Sequence, residues 1–246
     1  MLDKVPNYDI PASAALRYLR RHARALTRNQ VVGDRLAEKA SALLRLQDDT
    51  DRLPFKLALF RTFHRLYAEH FEETSHDIAQ IVFLLRTIEK FSIAEIGKTL
   101  GQNPIDVLAL FNAARAEMLR LRSLHILLIE DEAMIAMDLS CFLEEQGHKV
   151  TGVAMTHAGA VGLAYETRPD LIISDIALAD RSSGLTAVDD IVKAQGHIPA
   201  IFLTGRPDLL LTGEGAEPAF VLEKPYGEDE ILSAMSQAMS ASVVMC

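Results

Sequence analysis

The sequence predicts two domains of different class: an all-α N-terminal domain followed by an α/β domain with a doubly wound parallel sheet. The chain has 246 residues, enough for two domains of ordinary size. Apolar residues recur at helical spacing up to about residue 122, and beyond it short apolar runs alternate with helical stretches.

The distribution of charged residues divides the chain at nearly the same place. Residues 1–124 carry 19 Lys and Arg against 15 Asp and Glu, whereas residues 125–246 carry 6 against 19. We therefore expect one domain over 1–122 and another over 123–246.

Four amphipathic stretches and a helix-turn-helix make up the predicted helical domain. The stretches are residues 11–28, 33–46, 51–70 and 74–90. Ser92 and Glu95 form an S-x-x-E capping box that opens the helix-turn-helix. Asn103 followed by Pro104 suits the start of its second helix, which reaches about Met118.

Five short apolar runs predict the strands of the second domain: 125–130, 148–154, 170–175, 199–204 and 219–224. The helical stretches that follow four of them are about 133–146, 156–166, 184–195 and 228–241. This alternation is typical of βαβ units around a parallel sheet. The remaining connection, 205–218, is rich in Gly and Pro and predicts no more than one helical turn.

Polar side chains stand at the ends of four of these strands. They are Glu130, Asp131, Asp175, Thr204 and Lys224. In a doubly wound sheet the carboxyl ends of the strands meet at one edge, so we expect these side chains to converge. Three carboxylates suit a hard cation such as Mg²⁺, and an Asp beside it can attack phosphorus. A Lys and a hydroxyl suit the phosphoryl oxygens.

Residues 124–242 resemble the receiver domain of two-component response regulators, which has a flavodoxin-like fold. The resemblance implies that Asp175 is the phosphoacceptor and that Thr204 and Lys224 contact the phosphoryl group. It also implies a cis bond between Lys224 and Pro225. The Mg²⁺ ligands that it implies are Glu130, Asp131, Asp175 and the backbone carbonyl of Ala177.

Two positions depart from the usual receiver pattern. Glu130 stands where Asp is commoner, so we expect its metal contact to run through water. Val221 stands where many receivers carry a switching aromatic residue, so another element must report phosphorylation, and we expect it to be the 205–218 connection.

Two other classes share parts of this pattern. A flavodoxin needs a hydroxyl-rich phosphate loop after the first strand, but residues 129–136 are acidic there. A haloacid-dehalogenase phosphatase has a second Asp two residues after its nucleophile, but residue 177 is Ala. We therefore expect a phosphoryl acceptor and not an enzyme, with at most self-phosphorylation from phosphohistidine or a small-molecule donor.

The second helix of the helix-turn-helix lacks the chemistry that DNA binding requires. Arg115 is the only base between Pro104 and Met118, against Asp106 and Glu117. Affinity for DNA depends largely on Lys and Arg at phosphates. Three interpretations remain: a DNA-reading helix, a wholly buried structural helix, and a surface for a partner protein. The third is favoured.

The helical half resembles sigma factors of the extracytoplasmic-function type, with region 2 over about 11–50 and region 4 over about 54–120. No Phe, Tyr or Trp lies between Leu19 and Pro54 to stack on melted bases. The basic stretch 17–28 is interpreted as a solvated face or a dock for an acidic partner in preference to a nucleic-acid site.

A sigma-like domain joined to a receiver is the architecture of PhyR-type regulators of the bacterial general stress response. The resemblance implies that the helical domain sequesters an anti-sigma factor of NepR type. It implies a sensor histidine kinase or phosphotransferase as the phosphoryl donor. The charge division suggests that the acidic receiver covers the basic half while Asp175 is unphosphorylated. The alternative function is that of a DNA-binding response regulator or a working sigma factor.

We base the expected compartment on three features that the sequence lacks. No stretch approaches the roughly 18–20 apolar residues of a membrane span, and residues 1–21 lack the apolar core of a signal peptide. The two cysteines form no disulfide framework or metal quartet. We expect a cytoplasmic protein with no membrane partner.

Overall fold

The structure is a computed structural model that describes residues 11–46, 53–71, 75–118, 123–207, 210, 218 and 220–242. The predicted boundary near residue 122 and most of the 205–218 connection lie outside these residues. The chain forms two compact units, one helical and one α/β. Each is described by itself.

Among the described residues, six helices form the helical unit. They are α1 (Ala12–Thr27), α2 (Gln30–Leu46), α3 (Phe55–His70), α4 (Ser75–Thr87), α5 (Ile93–Leu100) and α6 (Pro104–Met118). Their apolar faces meet in one core that includes Leu19, Phe60, Phe63, Val82 and Ile96, all of them fully buried. The same core includes buried residues of α2 and α6, which is why these six amphipathic helices fold as one unit.

Helices α2 and α4 each have an end that differs from the prediction. Helix α2 begins three residues before Gly33, because the Asn29 side chain accepts a hydrogen bond from the backbone N–H of Val32 at 3.0 Å and caps the helix. Helix α4 ends at Thr87 and not at Lys90, and Lys90 adopts a left-handed φ of 62°. Neither feature follows from apolar periodicity.

Helix α1 uses much of its positive charge inside the unit. Buried Arg21 pairs with buried Glu89 at 3.0 Å. Buried Arg24 binds both carboxylate oxygens of Asp34, at 2.6 and 2.7 Å. The expectation that 17–28 presents a basic face, whether to solvent or to an acidic partner, is wrong for these two arginines, because acidic residues outside α1 neutralise them.

The helix-turn-helix has the predicted caps. Ser92 Oγ accepts from the N–H of Glu95, and the Glu95 carboxylate accepts from the N–H of Ser92, which completes the capping box. Gly101 ends α5 in the left-handed conformation. Asn103 Oδ1 then accepts from the N–H of Ile105 at 2.9 Å and opens α6.

Over the described part of the α/β unit, five parallel strands alternate with four helices. They are β1 (His125–Ile129), α7 (Ala133–Glu145), β2 (Lys149–Ala154), α8 (His157–Thr167), β3 (Leu171–Asp175), α9 (Gly184–Gln195), β4 (Ala200–Thr204), β5 (Val221–Glu223) and α10 (Glu228–Ser242). The strand order is β2-β1-β3-β4-β5, which confirms the doubly wound sheet. The order reverses between β1 and β3, so the sheet has its crevice at their carboxyl ends.

Candidate functional site

Three carboxylates meet at this crevice. Glu130 and Asp131 follow β1, and Asp175 is the last residue of β3. One oxygen from each carboxylate lies within 4.8 Å of the others, and within the described part of the chain they form the one such group able to hold a metal ion. Glu130 is only 1% exposed and Asp175 is buried, so the group lies in the wall of the crevice and not on an open surface.

Lys224 joins two of these acids. Its Nζ donates to Asp175 Oδ2 at 2.6 Å and to Glu130 Oε2 at 3.0 Å. The peptide bond from Lys224 to Pro225 is cis, as the receiver resemblance implied. The Lys224 ammonium therefore offsets the charge that two adjacent buried carboxylates would otherwise leave uncompensated.

Burial and pairing act on these groups in opposite directions. Burial raises the pKa of the Glu130 carboxyl, although hydrogen bonds from Lys224 and from the N–H of Glu132 oppose the shift. Burial also disfavours the charged form of Lys224, but its bonds to Asp175 and Glu130 outweigh that effect and leave the pKa of Lys224 raised. The lysine stays a cation at neutral pH.

The backbone after β3 is held tightly against the core of the unit. A Cβ on Gly184 would lie 1.8 Å from the carbonyl oxygen of Asp175 and 2.2 Å from Ser174 Oγ. Ser174 is buried, and its hydroxyl donates to the same Asp175 carbonyl at 2.8 Å. Glycine is therefore required at position 184, where α9 begins beside the Asp175 backbone.

Thr204 lies at the end of β4, next to β3 in the sheet. Its hydroxyl accepts from the N–H of Arg206 at 3.0 Å, and its backbone carbonyl accepts from the N–H of Lys224 at 2.8 Å. Val221 is buried in β5. Tyr226 follows the cis bond, and burial, aided by the nearby carboxylates, raises its pKa to about 12.

The structure brings together most of the residues that the sequence singled out. The three acids and Lys224 contact or neighbour one another, and Thr204 ends the adjacent strand. Their roles in phosphoryl chemistry, and the carbonyl of Ala177 as a ligand, stay predictions. Sequence reasoning missed Gly184 and Tyr226. A glycine where a helix begins and an aromatic residue after Lys-Pro are the signals that could have found them.

Helix α6 presents an apolar surface. Val107 and Ala114 are buried, but Ile105 is 76% exposed and Leu108 is 48% exposed. The interpretation of α6 as a wholly buried structural helix is therefore wrong. An exposed apolar helix face with one base, Arg115, fits a protein partner better than a polyanion.

Two known protein families match this chain, one in each of its two halves. The response regulator receiver domain family matches residues 126–236, and the family described as the Sigma2 domain of PhyR matches residues 13–64. Within the described residues, no helix combines the length and apolar character needed to cross a bilayer.

Other known proteins align with nearly the whole chain and so match both halves together. The phyllosphere-induced regulator PhyR of Methylorubrum extorquens is 40% identical over 91% of each chain. The crystal structure of the response regulator PhyR from Brucella abortus is 34% identical, covers 94% of this chain and 93% of its own, and has a TM-score of 0.86. The anti-anti-sigma factor PhyR from Bartonella quintana is 32% identical, covers 95% and 98%, and has a TM-score of 0.85.

The Bartonella protein has also been crystallised with the anti-sigma factor NepR. The PhyR of that complex is 30% identical to this chain, covers 93% of it and 97% of its own length, and has a TM-score of 0.37.

The helical unit, whose first part matches a sigma domain, is followed along the chain by a receiver sheet with an acidic crevice. These two features define a response regulator with a sigma-like N-terminal half. The similarity to the Methylorubrum and Brucella proteins runs through nearly the full length of both halves. The chain belongs to the PhyR family.

Proposed function

We propose that this chain is a phosphorylation-controlled response regulator that acts in the cytoplasm. Its helical unit binds and sequesters an anti-sigma factor of NepR type, and this releases a sigma factor of the general stress response. The observation that carries the proposal is the group formed by Asp175, two further carboxylates and Lys224 at the crevice of a receiver sheet.

Mg²⁺ fits the acidic group. Three carboxylate oxygens within 4.8 Å of one another are the hard donors that this ion prefers. We assign Asp131, Asp175 and the backbone carbonyl of Ala177 as direct ligands and Glu130 as a ligand through water. Bound there, Mg²⁺ would offset negative charge on a phosphoryl group.

Asp175 provides the accepting oxygen. One of its carboxylate oxygens attacks the phosphorus of a phosphohistidine on a sensor histidine kinase or phosphotransferase. An O–P bond forms while the P–N bond breaks, and the donor imidazole keeps the electron pair. Lys224, which pairs with Asp175 before the reaction, then contacts a phosphoryl oxygen, and the Thr204 hydroxyl donates to another.

The helical unit provides the output. The exposed apolar residues of α6 suit a groove or helix on a protein partner, and the buried ion pairs of α1 leave less charge for nucleic acid. Relatives that are anti-anti-sigma factors support the choice of an anti-sigma factor as that partner.

Mass spectrometry tests the phosphoryl chemistry. The full chain is incubated with acetyl phosphate and Mg²⁺, and the peptide that contains Asp175 is expected to carry a phosphoryl group that hydroxylamine removes. Asp175→Asn is expected to carry none, while Asp189→Asn, an exposed acid on α9, keeps it. A phosphoryl group that persists in Asp175→Asn would refute the assignment.

A further inference from the structure

A short loop between β3 and α9, residues 176–183, reaches two carboxylates of the candidate site through its backbone. The N–H of Ala177 donates to Asp175 Oδ1 at 3.2 Å. The N–H of Ala179 donates to Asp131 Oδ2 at 2.9 Å. Because backbone amides move only with the loop, the conformation of the loop sets the direction in which both carboxylates point.

Asp180 holds this loop in shape. Its Oδ1 accepts from the backbone N–H of Ser182 at 2.9 Å and from the Ser182 hydroxyl at 2.5 Å. These bonds span Arg181, which adopts a left-handed φ of 65°. That conformation is unfavourable for a residue with a long side chain, so the turn depends on the bonds that close it.

Ser182 also ties the loop to the rest of the unit. Its hydroxyl oxygen accepts from the N–H of His157 at the start of α8, at 3.2 Å, and its carbonyl accepts from the N–H of Leu178 at 3.3 Å. A connected series of hydrogen bonds thus runs from α8 and Asp180 through Ser182 to Leu178, the residue between the two alanines whose amides contact the carboxylates.

We propose that Asp180 is a positioning residue for the metal site: it holds the loop whose amides aim Asp131 and Asp175, and it does not touch the ion. This inference rests on the proposed function, because it takes the three carboxylates as a Mg²⁺ site. Asp180 itself is exposed, so its replacement leaves no cavity in the core.

Mg²⁺ affinity of the full chain, measured by titration calorimetry, tests the proposal. Asp180→Ala is expected to bind Mg²⁺ about tenfold more weakly, as removal of outer-shell partners does at other metal sites. Asp180→Asn keeps an oxygen that can accept both Ser182 bonds and is expected to stay near wild type. Asp189→Ala removes the same charge from an exposed position on α9 and is the matched control.

A rescue variant separates loop shape from charge. Arg181→Gly places a residue that tolerates positive φ at the strained position, so adding it to Asp180→Ala is expected to restore most of the affinity. The proposal is overturned if Asp180→Ala binds Mg²⁺ as tightly as Asp189→Ala does. It is also overturned if Asp180→Asn is as weak as Asp180→Ala, or if Arg181→Gly restores nothing.

The same Mg²⁺ titration distinguishes an error about the role of Asp180 from an error about the metal site itself. If Asp131→Ala loses Mg²⁺ binding while Asp180→Ala keeps it, the site stands and the role of Asp180 is wrong. If Asp131→Ala binds Mg²⁺ as wild type does, the site named under the proposed function is wrong, and the positioning role is overturned with it.

Discussion

The imidazoles of His22 on α1 and His64 on α3 face each other in the core of the helical unit. Their Nε2 atoms are 3.1 Å apart, and the Nδ1 atoms have no hydrogen-bond partner among the described residues. Phe60 and Phe63 pack against the His22 ring. The short distance requires one proton between the two nitrogens, so the hydrogen bond is lost when both rings are protonated.

The pair predicts acid sensitivity of the helical unit. Burial, with the charges of Arg21 and Lys56, lowers the pKa of His22 to about 3, and burial lowers that of His64 well below its ordinary value. An unfolded histidine takes up a proton near pH 6.5. Between that pH and about 3 the unfolded chain therefore binds more protons, and the free energy of unfolding falls as pH falls.

Each histidine is expected to contribute about 1.4 kcal/mol of this loss per pH unit. Urea denaturation followed by circular dichroism, at pH values from about 7 to about 4.5, measures how steeply the free energy of unfolding falls with pH. His64→Gln is expected to halve that slope. NMR of the ring nitrogens checks the cause. Protonation of His22 in the folded chain at pH 6 would contradict this explanation.

At the scale of elements, the start of α9 controls the geometry of Asp175. Gly184 allows the helix to begin against the Asp175 carbonyl, and its amide donates to the carbonyl of Ile176 at 3.0 Å. A side chain at position 184 would have to displace backbone atoms of Asp175, which cannot move aside as readily as the end of a flexible side chain.

Gly184→Ala is therefore expected to destabilise the α/β unit by about 3 kcal/mol and to reduce phosphoryl uptake at Asp175. Gly162→Ala in α8 is the matched control, because a Cβ there meets nothing within 4 Å. That change is expected to stabilise the helix by up to about 1 kcal/mol. Thermal denaturation compares the two variants, and equal stability would contradict the packing argument.

Helix α6 carries the predicted contact with the partner. The double variant Ile105→Glu and Leu108→Glu is expected to bind an anti-sigma factor of NepR type at least about 100-fold more weakly, because two buried charges would oppose docking of this helix face in an apolar groove. Both residues are exposed, so the fold is expected to persist. Tyr165→Glu, at an equally exposed position on α8, is the control. Unchanged affinity of the double variant would exclude this face of α6.

Particular elements show how far sequence reasoning reaches. Apolar runs predicted β1 and β3 closely, and because site residues directly follow buried strands, Asp175 and Glu130 could be placed at the crevice in advance. The ion pair between Arg21 and Glu89 joins residues 68 apart and carries no periodic signal. Contacts of that kind arise from tertiary packing, so the charge pattern alone made α1 look more exposed than it is.

At the scale of the whole molecule, the charge added by phosphorylation must change the affinity for the anti-sigma factor. Phosphorylation adds close to −2 charge at neutral pH. Moving a two-state equilibrium from about 1:99 to 99:1 requires roughly 5.5 kcal/mol of differential stabilisation. Coupling between two sites is commonly about 1–3 kcal/mol. Phosphorylation alone is therefore expected to shift the population only in part, and binding of the anti-sigma factor supplies the remainder.

The affinity of the full chain for an anti-sigma factor of NepR type, with and without beryllofluoride and Mg²⁺, tests the central claim most directly. We predict at least about tenfold tighter binding with the phosphoryl mimic, and no such gain for Asp175→Asn. Equal affinity in both conditions, or the same gain in Asp175→Asn, would contradict phosphorylation control through this site.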